Sequence, residues 1–244
     1  MKTLTSSRWH RIVTVPLSVL LLGVGLLFSA TASAQTIAGS VHDFSDDVGW
    51  NTTGEICVVC HTPHNSYTET EAGAGAGELG PLWNRALTQV TAFSVYTDVT
   101  RVGSDLEATT VLGQPTGVSK LCLSCHDGTI AIDSFGRAAD RSVFTGGTQT
   151  MADINPNANI GEGSGTTGDL SNDHPVAFTF PTTDAEIVGA TGNVVNGQTD
   201  PLPLFGGAQM ECATCHDVHA TGTFGPLLRV DNTGSGLCLN CHIK

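Results

Sequence analysis

The pattern Cys-x-x-Cys-His occurs four times in this chain, at Cys57–His61, Cys122–His126, Cys212–His216 and Cys238–His242. The four copies use all eight cysteines. One copy would be compatible with a redox dithiol; four copies with no cysteine left over point elsewhere. The spacing is that of covalent haem attachment, in which two thiols add across the two vinyl groups of one porphyrin. The histidine that follows is held under the iron as an axial ligand. The pattern therefore predicts four covalently attached c-type haems, on Cys57 and Cys60, Cys122 and Cys125, Cys212 and Cys215, and Cys238 and Cys241. An exported chain with this many cysteines would otherwise suggest disulfides, and here none remains to form one.

The histidines extend the argument. The chain has nine, of which His10 lies in an N-terminal leader considered below. Four are the proximal residues His61, His126, His216 and His242, which leaves His42, His64, His174 and His219. Four irons with two axial positions each need eight ligands, so the count closes on bis-histidine ligation throughout. Met151 and Met210 are the competing axial donors, and neither has a counterpart elsewhere in the chain. His61 and His64 are three residues apart, so their Cα atoms are separated by at most about 10 Å. Axial ligands approach from opposite faces of the ring, so these two cannot share an iron. His64 is expected on the second haem and, by the same logic, His219 on the fourth. His42 and His174 then serve the first and third in either order. Each half of the chain would thus hold a tight haem pair.

Lys2, Arg8 and Arg11 precede an apolar run from Ile12 to Phe28, and Ala32-Ser33-Ala34 closes it. This is the form of a secretory leader over residues 1–34, with Gln35 starting the mature chain. A retained anchor is the alternative, but the run is short for a span of about 20 residues. Removing the three basic leader residues takes the net charge from −13 to −16. So acidic a surface argues against nucleic acid and anionic lipid as partners and suits cationic ones. No stable membrane insertion of the mature chain is expected.

Aromatic content is only 6%, and there are 29 glycines. The expected fold is mostly irregular and loop-rich, with short helices and few short strands, as two pseudo-repeats around a chain of four haems. Haem supplies the missing apolar material, so binding free energy is folding free energy. Residues 69–80 are an Ala-Gly loop. Residues 88–99 and 129–133 carry β-branched patterns that suggest short extended pieces. Residues 155–172 are rich in Asn, Gly, Ser and Thr and read as a joint between residues 35–154 and 173–244. Both halves present five features in one order. The first has His42-Asp43-Phe44, a motif ending in His61 with His64 three residues on, Gly80-Pro81-Leu82, and the motif ending in His126. The second has His174, a motif ending in His216 with His219 three residues on, Gly225-Pro226-Leu227, and the motif ending in His242.

These stretches resemble the multihaem cytochromes with doubled CxxCH motifs. The haem count, leader and short mature length resemble the OmcE-type extracellular tetrahaem cytochromes of metal-reducing bacteria. That resemblance implies a loop-rich fold and electron transfer without catalysis. It also implies self-association into a conductive extracellular filament, passing electrons to other cytochromes or to acceptors such as metal oxides. In such filaments one distal histidine comes from the neighbouring protomer. His42, on the N-terminal segment, is the expected donor, unless it serves its own first haem. A soluble periplasmic shuttle and an electron-donating subunit of a reductase, such as a nitrite-reducing system, are the other readings. The reductase reading usually needs an open iron site, a lysine-type ligand or a retained anchor, and the complete histidine count disfavours it.

Overall fold

A computed structural model describes residues 37–45, 51, 53–69, 79–96, 113–136, 149–163, 165–182, 184–219 and 224–243. The chain divides into two units, Met1–Ala34 and Gln35–Lys244, and every described residue lies in the second. The expected leader and most of the Ala-Gly loop lie outside the described residues.

Regular structure is short, as the composition predicts. Among the described residues the longest helix is α1, Gly117–His126, which carries the second motif. Ser119 and Leu123 are buried four residues apart on one face. Ser124 bends its hydroxyl back to Lys120 O (2.8 Å) and accepts Thr88 N (3.0 Å), tying the helix to the preceding segment. The helix ends where the Asp127 carboxylate accepts Thr129 N at 2.9 Å, a side-chain turn that competes with further helix. The other α-helices among the described residues are of one to two turns: α2 at Met151–Ile154, α3 at Cys212–Cys215 and α4 at Gly236–Cys241. Thus α3 and α4 carry the third and fourth motifs, and a 3-10 turn at Cys57–Val59 carries the first.

Among the described residues three small sheets brace these turns. Strand β1, Ala92–Val95, runs parallel to β2, Thr167–Leu170, with Phe93 opposite Gly168. The Gln114 side chain caps the other edge of β1, accepting Phe93 N (2.5 Å) and donating to Phe93 O (3.1 Å). Strand β3, Phe178–Thr179, pairs with β7, Gln209–Met210, and β4 (Ala190–Thr191), β5 (Val194–Val195) and β6 (Leu202–Pro203) form an antiparallel meander. The strand expected within 88–99 is β1. Residues 129–133, expected to be extended, are bends and turns instead. Their carbonyls at Ala131 and Ile132 face the guanidinium of Arg85 rather than a neighbouring strand. The expected irregular joint contains β2, because Gly168 lets the backbone come up against the Phe93 ring.

A Cβ at Gly168 would lie 2.6 Å from both Gly161 O and the Phe93 ring. Gly168→Ala is therefore expected to destabilise the protein by about 1–3 kcal/mol, the usual cost of overpacking, read as a lowered thermal midpoint of the haem-loaded protein.

Among the described residues most buried apolar side chains fall into four separate clusters. The largest gathers Phe180, Val195, Leu202, Leu204, Met210 and Val230 with Cys241. A second packs Val59, Ile132, Phe135 and Met151 beside Cys60 and Cys125. Haem-attachment cysteines border three of the four clusters.

Candidate haem sites

The first and third motifs are held by the same contacts. At the first, Asn84 N donates to Cys60 O (2.9 Å), Thr62 N to Leu82 O (2.9 Å), and His61 Nδ1 to Pro81 O (2.7 Å). At the third, Arg229 N donates to Cys215 O (2.8 Å), Asp217 N to Leu227 O (2.8 Å), and His216 Nδ1 to Pro226 O (3.0 Å). A carbonyl oxygen can only accept, so both imidazoles carry their proton on Nδ1 and offer Nε2 as the ligating atom. Gly-Pro-Leu is thus part of the site: it presents the proline carbonyl to the proximal histidine. Leu82 (φ 56°) and Leu227 (φ 58°) both adopt the left-handed region to do so. Such strain costs on the order of 1–3 kcal/mol and collects at functional positions. At the second motif the Ala158 carbonyl, from the expected joint, takes the same role for His126 Nδ1 (2.7 Å).

The second variable residue of every motif is buried: Val59, Ser124, Thr214 and Asn240. Asn240 shows what they do. Its Oδ1 accepts Thr199 N and Thr199 Oγ1 (both 2.9 Å), and its Nδ2 donates to Asp200 O (2.7 Å). Asn240→Ala should cost about 1–3 kcal/mol, because it strips partners from buried groups. Thermal denaturation of the haem-loaded variant measures that loss.

Motifs from the two halves meet directly. Helix α3 docks on α1 through a hydrogen bond between Ser119 Oγ and the buried Glu211 carboxylate, and Cys212 N donates to Ser119 Oγ (2.9 Å). The Cys122 thiol engages Cys212, and this contact together with burial pushes Cys122 well up. Burial also pushes Cys60 up to about 12 and Cys215 up to about 11. All eight cysteines are free of disulfides.

Six of the eight candidate ligand histidines stand in facing pairs. The ring centroids of His42 and His126 are 5.9 Å apart, those of His61 and His219 are 6.1 Å apart, and those of His174 and His242 are 6.5 Å apart. Metal–imidazole bonds of about 2 Å, plus about 1 Å from each nitrogen to its ring centre, separate two trans imidazoles by about 6 Å. The three pairs fit an iron between them. Burial, helped by the neighbouring charges of His126 and His216, lowers His42 to about 4, so its ring is neutral and available as a ligand at pH 7. Its Nδ1 is buried without a protein partner, so this ring depends on a bond the polypeptide does not supply. Among the described residues no group of three or more His, Cys, Asp or Glu side chains converges on a metal position. Two imidazoles alone do not complete an iron site, and a porphyrin supplies the other four donors.

These pairs differ from the expected assignments. His42, not His64, faces the second motif's His126. His219 faces the first motif's His61 rather than the fourth's His242, and His174 faces His242. Pairing is not confined to each half, because the docking of α3 on α1 brings the segment after His216 across to His61. His42 faces His126 of its own chain. His64 and His216 are both exposed, and His216 lies close enough to His42 and His126 for its charge to act on both.

Cysteine pairs followed by histidine, with imidazoles facing across an iron-sized gap, define the class of proteins that carry covalently bound c-type haem. Residues 206–244, which contain the third and fourth motifs, match the family model described as the doubled CXXCH motif. That match supports a multihaem c-type cytochrome. No curated protein matches the chain. Among the described residues no helix is long and apolar enough to cross a membrane.

Proposed function

We propose that this chain is a tetrahaem c-type cytochrome that transfers electrons through bis-histidine haems and is not itself a catalyst. The observation that carries the reading is the facing of imidazoles at 5.9, 6.1 and 6.5 Å. Haem, when bound, supplies an iron that takes up and releases one electron. The protein's part is to hold it. Pro81, Pro226 and Ala158 carbonyls fix the proximal rings, and His42, His219 and His174 fill the opposite positions. By analogy with the His61–His219 pair, His64 would serve His216: each segment then lends its trailing histidine to the other's iron. With a histidine on each side of every iron, no position would stay open for a substrate. The shared Gly-Pro-Leu contacts support an origin of the two halves by duplication.

The leader supports export, to the periplasm or the cell surface. Polymerisation into an extracellular filament rests on the resemblance to the OmcE-type cytochromes. The facing of His42 and His126 favours ligation within one chain, so a filament would need another junction. Electron microscopy of the secreted fraction separates the two forms: uniform filaments mean a conduit, and particles of single-chain size mean a shuttle. The acidic chain would deliver electrons to cationic partners, other cytochromes or metal oxides.

The test of the main reading is intact mass with electron paramagnetic resonance on the purified mature protein. Four haem masses and wholly low-spin iron are expected. A stable high-spin fraction in the wild type would overturn it in favour of an open, catalytic site.

A further inference from the structure

Arg85 is fully buried, at 0% exposure. Its Nη1 and Nη2 donate to Ile132 O (3.3 Å) and Ala131 O (3.0 Å), and its Nε is buried without a partner. Among the described residues no carboxylate forms an ion pair with it. A buried cation without an ion partner is costly to fold, so its position needs a reason.

The position is between two attachment segments. Arg85 follows Asn84, whose N donates to Cys60 O (2.9 Å) and whose Nδ2 donates to Val58 O (2.5 Å). The carbonyls that hold the guanidinium belong to the turn after His126. Its charge acts on Cys60, Cys125 and His126 alike, lowering each against its surroundings. The second half has no equivalent. There Arg229 takes the backbone place of Asn84, and Val230, an apolar residue, takes that of Arg85. Arg229 itself is neutralised by Asp217 at 2.7 Å and is partly exposed.

We propose that Arg85 is a potential-setting residue, a buried cation that raises the reduction potentials of the haems at Cys57–His61 and Cys122–His126. The inference rests on haem attachment at those two motifs. Reducing a ferric iron removes one positive charge from its surroundings. A fixed cation nearby favours the reduced state, and in a buried setting the effect is large and weakly screened. Asp127, the buried acid beside His126, opposes it there but is held by Thr88 and Thr129. Removing Arg85 therefore shifts the balance in one direction only, towards the oxidised state.

The experiment is a spectroscopic redox titration of full-length Arg85→Gln, with haem content checked by intact mass. At fixed poise, the reduced-to-oxidised ratio of two of the four haems should fall about tenfold, about 59 mV for a one-electron couple. The shift should persist in roughly 1 M salt, as expected for a buried charge. Arg85→Lys should keep the wild-type titration, and Arg229→Gln should change it little. Arg85→Met, which fills similar space without charge, replaces the glutamine variant if that one loses haem. A fully loaded neutral variant with unchanged potentials, or with all four shifted equally, would overturn the proposal. Absence of haem from the first two motifs of the wild type would instead refute the attachment reading.

Discussion

Produced with all eight cysteines changed to serine, the chain should show no cooperative thermal transition and little ordered near-ultraviolet circular dichroism. The expected effect is loss of essentially the whole folding free energy. Four apolar clusters without a common core cannot offset the ordering of so many loop residues. The helices that carry motifs three and four have four and six residues, too short to persist alone. Three clusters are bordered by the very cysteines that anchor porphyrin, so haem is placed to join them. The order of events follows from the thiols. The reactive form is the thiolate, and in the folded geometry burial holds Cys60 at about 12 and Cys215 at about 11. Haem addition is therefore expected before the fold closes over these thiols, with binding coupled to folding as in small metal-dependent domains. A cooperative transition in the serine variant, with native-like far- and near-ultraviolet spectra, would contradict this.

What the sequence made legible was chemistry with fixed spacing. Two thiols must span two vinyl groups, so Cys57, Cys60 and their counterparts announce themselves, and the number of irons fixes the number of histidines. The partner of each distal histidine was not legible, because it depends on how distant segments dock. Nothing around His219 says that Glu211 will meet Ser119 and carry it to His61. The apparent joint misled for a related reason. Thr167–Leu170 lacks a strand composition, yet it pairs with β1 because Gly168 accepts the Phe93 ring. Gly-Pro-Leu was visible as a repeat but its task was not, since a backbone carbonyl leaves no mark on side-chain identity. The buried second position of each motif was hidden by its variety. Val59, Ser124, Thr214 and Asn240 share a location and no chemistry.

Replacing His219 by alanine should turn one haem of the four high-spin, roughly a quarter of the iron signal in a tetrahaem chain. The affected haem should be the one on Cys57 and Cys60. The reason is the His61–His219 separation of 6.1 Å with rings tilted by only 28°, against the neighbouring motif that chain order would suggest. Combining His219→Ala with Cys57→Ser and Cys60→Ser tests the assignment. The high-spin signal should vanish with the first haem. Persistence of that signal, followed by its loss when Cys238 and Cys241 are changed instead, would restore pairing within each half. The same pair also has a mechanical meaning. His61 and His219 come from opposite halves, so an iron between them is a cross-link that joins the halves. Opening it should lower the thermal midpoint more than opening the His174–His242 pair, whose two members both belong to the second half. Electron passage and structural integrity would then depend on one bond, and a denaturation series on His219→Ala and His174→Ala measures the difference.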